Sequence, residues 1–206
     1  MNLLAYFSND EDKRARYIFN LIAPVYHLID KGTYKDYLEM ARIFNSNIPL
    51  KGKYVLDVGS GTGSWLAALN HYSLGKATGV DFSDKMLFEA QKNHPDLEFI
   101  KATGEDLSFF KDKSYDVVTA TFVLHGMKSD KRIRVLNEMK RVAREVVVIH
   151  DFYGKTEFIT RILESLEKSD YKNFKLNFSS EMRLVFSETE VIPAKNAGRA
   201  LYIGKI

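Results

Sequence analysis

Five apolar, β-branched runs recur between residues 53 and 150, at Lys53–Val58, Ala77–Val80, Leu97–Ile100, Tyr115–Thr121 and Val146–His150. Helical patterns separate most of them, at Ser64–His71, Asp84–Asn93 and Asp130–Val142. Strands alternating with helices of this length imply a parallel sheet with helices on both faces. Right-handed crossovers leave few ways to connect it. Ser83 and Ser129 read as N-caps of the helices they precede. At the other end, Glu188–Pro193 and Arg199–Ile206 read as strands of an antiparallel hairpin turned by residues 194–198, a common ending for a large α/β sheet.

The flanks read differently. Ala15, Ile18, Phe19 and Ile22 recur at helical spacing over Glu11–Ala23, and Pro24 is expected to end that helix. A second helix is expected over Tyr34–Phe44, and a third, amphipathic one over Thr156–Leu166. A chain of 206 residues normally forms one domain with at most a small appendage. The expected division is residues 1–50 as a helical lid and substrate segment, and 51–206 as the sheet domain.

Composition excludes several functions. A net charge of +3, from 30 basic and 27 acidic residues, gives no strong electrostatic footprint for nucleic acid. The absence of cysteine excludes disulfides, thiolate metal sites and cysteine nucleophiles, and no histidine or carboxylate spacing suggests another metal site. No apolar run approaches the roughly 20 residues that span a bilayer. Met1–Asp12 lacks the pattern of a secretory signal. The expectation is a soluble, cytoplasmic protein.

The chemistry concentrates at the ends of the strands. After the first comes Asp57-Val58-Gly59-Ser60-Gly61-Thr62-Gly63, whose alternating glycines admit a ligand against bare amides. Asp57 would repel a pyrophosphate and attract an ammonium or sulfonium. Position 64 is serine, so the dinucleotide pattern G-x-G-x-x-G is not met. Asp81 ends the second strand, where a carboxylate suits the two hydroxyls of a ribose. Thr103-Gly104-Glu105-Asp106 follows the third strand, and Thr121-Phe122 with His125 follows the fourth. In an open α/β sheet these ends flank the ligand crevice.

From Lys51 to Phe152 the chain resembles the class I S-adenosylmethionine-dependent methyltransferases of the small-molecule group called type 11. The resemblance is carried by Val55-Leu56-Asp57-Val58-Gly59-Ser60-Gly61-Thr62-Gly63, by Asp81, by Glu105-Asp106-Leu107 and by Tyr115-Asp116-Val117-Val118. It implies a doubly wound, mostly parallel seven-stranded Rossmann-like sheet with a C-terminal antiparallel hairpin and an N-terminal helical lid. It also implies S-adenosylmethionine as cofactor, S-adenosylhomocysteine as product and a small-molecule acceptor. Cofactor contacts are implied for Asp57, Gly59, Ser60, Gly61, Thr62, Gly63, Asp81, Phe82, Met86, Thr103, Gly104, Glu105, Asp106, Thr121 and Phe122. Family members often carry an acid where Thr103 stands. Ile22, Ala23 and Tyr26 are similar to the opening of ubiquinone and menaquinone C-methyltransferases, which implies a lid role for Tyr26. His27 stands where that group usually has aspartate, and the quinone substrate is not carried over.

His125 and Asp151 are the candidate catalytic residues, with His150 and Tyr153 flanking the second. Phe7, Tyr17, Tyr34, Tyr37, Phe152, Tyr153, Phe158, Phe174 and Phe178 are candidate walls of an aromatic substrate pocket. The acceptor atom (O, N or C) and the oligomeric state stay open. So do a non-catalytic cofactor-binding protein or partner subunit, an NAD-dependent oxidoreductase disfavoured by Asp57, and an RNA methyltransferase using the basic helix from Lys131 to Arg144.

Overall fold

The five β-branched runs form five parallel strands, and the helices between them cover both faces. A computed structural model describes residue 8 and residues 11–154, 169–194 and 198–206, with the side chains of 11–12 and 24–33 outside that description. In chain order these are α1 (Glu11–Asn47), β1 (Tyr54–Val58), α2 (Ser64–Asn70), β2 (Lys76–Asp81), α3 (Asp84–Asn93), β3 (Glu98–Lys101), β4 (Tyr115–Thr121), a 3₁₀ turn (Leu124–Gly126), α4 (Ser129–Val142), β5 (Ala143–Phe152), α5 (Tyr171–Val185), β6 (Glu188–Pro193) and β7 (Arg199–Lys205).

The seven strands lie in the order β3-β2-β1-β4-β5-β7-β6. The chain winds outward from β1 to β3, then returns to lay β4 against the other side of β1. The crevice between these two windings opens at the carboxyl ends of β1 and β4, and the parallel register sets Asp57 beside Gly79 on one side and Thr119 on the other. β7 enters antiparallel between β5 and β6. The mostly parallel sheet and its antiparallel ending match the sequence expectation.

Alternation along each strand divides the core. Leu56, Val58, Val118, Val147 and Ile149 pack with Leu136 and Met139 of α4 and Phe174 and Phe178 of α5. Val55, Val117, Val146 and Val148 pack on the other face with Trp65 and Leu66 of α2 and Met40, Ala41 and Phe44 of α1. Phe174 and Phe178 are therefore core, stacked with ring centroids 4.3 Å apart, and not walls of a substrate pocket.

Three local expectations change. α1 runs unbroken through Pro24. A mid-helix proline removes one hydrogen bond and crowds the preceding turn, but the helix is held on both sides: Phe19 packs on Phe82, and Tyr37 and Phe44 pack on Trp65. Ser129 is the first helical residue and not the cap; its hydroxyl donates to Glu181 at 2.6 Å. Ser83 does cap α3, accepting from the Met86 amide at 3.2 Å. α5 has no counterpart in the sequence expectations. The helix expected over Thr156–Leu166 and residues 195–197 of the hairpin turn lie outside the described residues. Among those described, no helix is long and apolar enough to cross a membrane.

Candidate active site

The β1–α2 loop is shaped by two glycines that meet different surroundings. Gly59 has φ +72°, and a Cβ there would lie 2.5 Å from a methyl of Val123, so the loop closes against the segment after β4 only without a side chain. Gly61, at φ +52°, has nothing within 4 Å of where its Cβ would stand. The bend is thus bare and faces open space.

That space is a cavity of about 220 Å³. Asp57, Gly59, Ser60, Gly61 and Thr62 line it from the loop, Asp81, Phe82 and Met86 from β2 and α3, Thr103, Gly104 and Glu105 from the segment after β3, and Thr121, Phe122 and His125 from the end of β4. Fourteen of the candidate cofactor and catalytic residues therefore meet around one cavity, with Tyr37 of the candidate substrate walls. Gly63, Asp106 and Asp151 do not line it. Gly63, at φ +83°, turns the chain into α2 under the Phe99 ring. Asp106 is exposed and bonds its own turn, accepting from the Ser108 amide and hydroxyl at 3.1 and 2.6 Å. Asp151 stands behind His125. The Tyr26 side chain lies outside the described residues, as do Phe7 and Phe158.

The two strand-end aspartates are buried in contrasting ways. Asp81 accepts from the Gly61 amide at 2.9 Å and from the Ser83 amide at 2.8 Å, so it tethers the bend from across the switch point. Asp57 is 1% exposed, and neither carboxylate oxygen has a hydrogen-bond partner among the described residues. Burial, and then the neighbouring charge of Asp81, push its pKa well above the ordinary carboxylate range. Burial also raises Asp81, opposed by its backbone amides. A buried unpaired carboxylate beside a bare bend suits a cationic ligand group.

His125 sits on the 3₁₀ turn after β4, with Nδ1 2.8 Å from Asp151 Oδ1. Asp151 is fully buried and also accepts from the Phe152 amide at 2.8 Å. A carboxylate only accepts, so Nδ1 carries a proton, and in the neutral ring Nε2 holds the lone pair. The turn is anchored by Arg132, which is fully buried. Its guanidinium bonds Glu181 twice, at 2.6 and 2.7 Å, Asp170 at 2.9 Å, and the Met127 carbonyl. Tyr153 is 40% exposed and packs on Tyr202, away from the cavity.

Other lining residues were not singled out in the sequence as site residues: Arg14, Arg16, Ile18 and Phe19 of α1, Trp65 of α2 and Lys131 of α4. The α1 group reaches the cavity through Phe82. Phe19 meets that ring edge-on at 6.1 Å, the Arg16 guanidinium lies 5.8 Å from its centroid, and Asn20 accepts from the Ser83 hydroxyl at 2.7 Å. Helical spacing marks Ile18 and Phe19 as apolar, but nothing local says what they face. Lys131 and Arg134 both pair with Glu105, at 3.1 and 2.8 Å, which ties α4 to the segment after β3.

Residues 55–145 match a family model described as a methyltransferase domain. The demethylmenaquinone methyltransferase of Chlorobaculum tepidum is 32% identical over 132 residues, 57% of this chain and 54% of that protein. The chloroplastic 2-phytyl-1,4-beta-naphthoquinone methyltransferase of Arabidopsis thaliana is 32% identical over 165 residues, 72% of this chain and 61% of that protein. The match thus spans little more than half the length of these relatives. Among solved structures, an S-adenosylmethionine-dependent methyltransferase of Thermotoga maritima superposes with a TM-score of 0.67 at 21% identity, covering 92% of this chain and 98% of its own. The magnesium protoporphyrin IX methyltransferase of Synechocystis, solved with bound S-adenosylhomocysteine, superposes with a TM-score of 0.63 at 17% identity, covering 84% and 83%. At these identities the likeness establishes the fold.

Proposed function

We propose that the chain is a class I S-adenosylmethionine-dependent methyltransferase, and that it methylates a small planar acceptor taken up beside His125. The observation that carries this reading is Asp57, a buried carboxylate with two unpaired oxygens at the foot of an open glycine bend. The amino-acid end of the cofactor carries the ammonium that such a group would pair with. When bound, S-adenosylmethionine supplies a methyl group on a positively charged sulfur.

The chain's own residues do the rest. Asp81, held in place by the Gly61 amide, would accept from the ribose hydroxyls. Phe82, Met86, Thr103 and Gly104 would flank the nucleoside, and Arg14, Arg16, Ile18 and Phe19 of α1 would cover it and exclude water. His125 takes the acceptor's proton at Nε2, and Asp151 fixes the tautomer through Nδ1. Holding the partners in line contributes about 7–11 kcal/mol to such a transfer.

The quinones in the names of the two curated relatives support a planar oxygenated acceptor. Tyr37, Trp65 and Phe122 at the cavity wall support the same class. The test is transfer of labelled methyl to a naphthoquinol, a phenol, an amine and an RNA, with calorimetric titration of S-adenosylhomocysteine against NAD. Absence of S-adenosylhomocysteine binding defeats the reading. Binding without transfer to any acceptor leaves a non-catalytic binding protein. His125→Ala is expected to lower turnover about 10²–10⁴-fold at unchanged S-adenosylhomocysteine affinity.

A further inference from the structure

Arg132 of α4 is the largest fully buried side chain among the described residues, and it carries a charge. Nε and Nη2 donate to Glu181 at 2.6 and 2.7 Å, and Nη1 donates to Asp170 at 2.9 Å and to the Met127 carbonyl. The Ser129 hydroxyl donates to the same Glu181 at 2.6 Å. Burying an ion pair is weak grounds for stability, since apolar side chains of similar volume often serve the fold as well. What they cannot do is bind two carboxylates and a carbonyl from three segments at once. Met127 ends the 3₁₀ turn that carries His125, and Ser169, next to Asp170, lines the cavity.

The chain enters that turn under strain. Phe122, the first residue after β4, has φ +51°, a conformation that a bulky side chain keeps only where its surroundings over-determine it. The near end is tied down by the Phe122 amide, which donates to the His150 carbonyl at 2.9 Å, and by the bond from His125 Nδ1 to Asp151. Arg132 ties down the far end. It also reaches the turn a second way. Its Cζ lies 5.6 Å from the centroid of the Phe174 ring, which meets the His125 ring edge-on at 6.3 Å. Arg132 itself does not line the cavity.

We propose that Arg132 is a positioning residue for methyl transfer: without touching cofactor or acceptor, it fixes where His125 presents Nε2 by holding the Met127 end of the strained turn. This deepens the methyltransferase reading and rests on it for the role of His125. A residue that served the fold alone could be exchanged together with Glu181 for an apolar pair at no cost to the site. A positioning residue could not, because the exchange restores packing but leaves the Met127 carbonyl unheld.

The test compares wild type with Arg132→Met/Glu181→Leu and with Arg132→Lys, which keeps a cation but has one nitrogen in place of three. The proton on His125 Nδ1 faces a buried carboxylate, so it is expected to exchange slowly and to give a downfield imidazole signal in NMR, assigned by its loss in His125→Ala. Both Arg132 variants are expected to melt as folded proteins and to lose or displace that signal. Methyl transfer to the naphthoquinol should fall about 10²-fold in each, at unchanged S-adenosylhomocysteine affinity. A folded variant that keeps either the wild-type signal or the wild-type turnover overturns the proposal, as does a wild type without the signal. If one variant gives no cooperative melt, the other decides. Should wild type transfer methyl to no acceptor, the methyltransferase reading has failed separately, and the signal still decides whether Arg132 positions His125.

Discussion

Replacing Asp57 with asparagine is expected to make the protein more stable and its cofactor binding weaker. Asp57 is 1% exposed and both oxygens lack partners among the described residues, so the free protein carries an ionisable group in a place that disfavours its charge. Stranding a polar group in this way costs about 1–3 kcal/mol, more when it is charged. Asp57→Asn removes the charge at constant shape and is expected to recover about that amount, or roughly 2–4 °C of melting temperature for each kcal/mol at this chain length.

The sign with pH follows from the direction of the shift. Burial and Asp81 raise the folded pKa above the unfolded value, so the folded protein holds this proton more tightly than the unfolded chain. The stability it contributes is present below the ordinary carboxylate range and is lost as pH rises through the folded pKa. The variant's advantage should therefore be absent at low pH, grow across that window and level off above it. Binding moves the other way. An ammonium pairs with the ionised carboxylate, so wild-type affinity for S-adenosylhomocysteine should rise with pH over the same window. The variant should lose a charge-assisted bond, about 1.5–3 kcal/mol or roughly 10- to 150-fold, along with the pH dependence. Thermal melts and calorimetry across pH measure both. An Asp57→Asn variant that melts no higher than wild type and binds S-adenosylhomocysteine equally well would refute the reasoning.

Three further perturbations probe the frame. Asp81→Ala deprives the Gly61 and Ser83 amides of their acceptor and should weaken S-adenosylhomocysteine binding by about 2–4 kcal/mol in calorimetry; a loss below about 0.5 kcal/mol argues against a ribose contact. Gly61→Val puts a branched side chain into the open bend at φ +52°, so binding should vanish while circular dichroism stays that of a folded protein; retained affinity contradicts the placement of the ligand there. Arg132→Met leaves Glu181, 4% exposed, without its guanidinium, and urea denaturation should register a loss of about 3–5 kcal/mol; a loss under about 1 kcal/mol means that water already compensates the network.

The sheet was legible because each parallel strand is a short β-branched run between turn residues, and both neighbours of such a strand demand apolar side chains. The loop was legible because Asp57 and the alternating glycines are contiguous. What escaped depends on distant partners. Asp81 reads as a ribose ligand from its position, but its tether to Gly61 joins residues 20 apart. Asp106 reads as a site residue beside Glu105, and its bonds to the Ser108 amide and hydroxyl are local ones that the sequence reading did not weigh. The Arg132 network spans 49 residues to Glu181, and a charged residue on a basic helix gives no local sign of being buried. Pro24 shows the reverse error: local chemistry argues for a break that packing on either side overrides.

The strand order has a consequence for synthesis. Residues 199–205 sit between β5 and β6, so the segment 188–193 leaves the ribosome before the neighbour it must pair with exists. Until then the free side of β5 presents Val146, Val148 and their backbone as an open edge, a place where nascent chains adhere to one another. A stop codon anywhere in the preceding turn would release a product with six-strand coding capacity but only a five-strand sheet, and such truncations should be cleared by proteases or chaperones and not accumulate as shortened proteins.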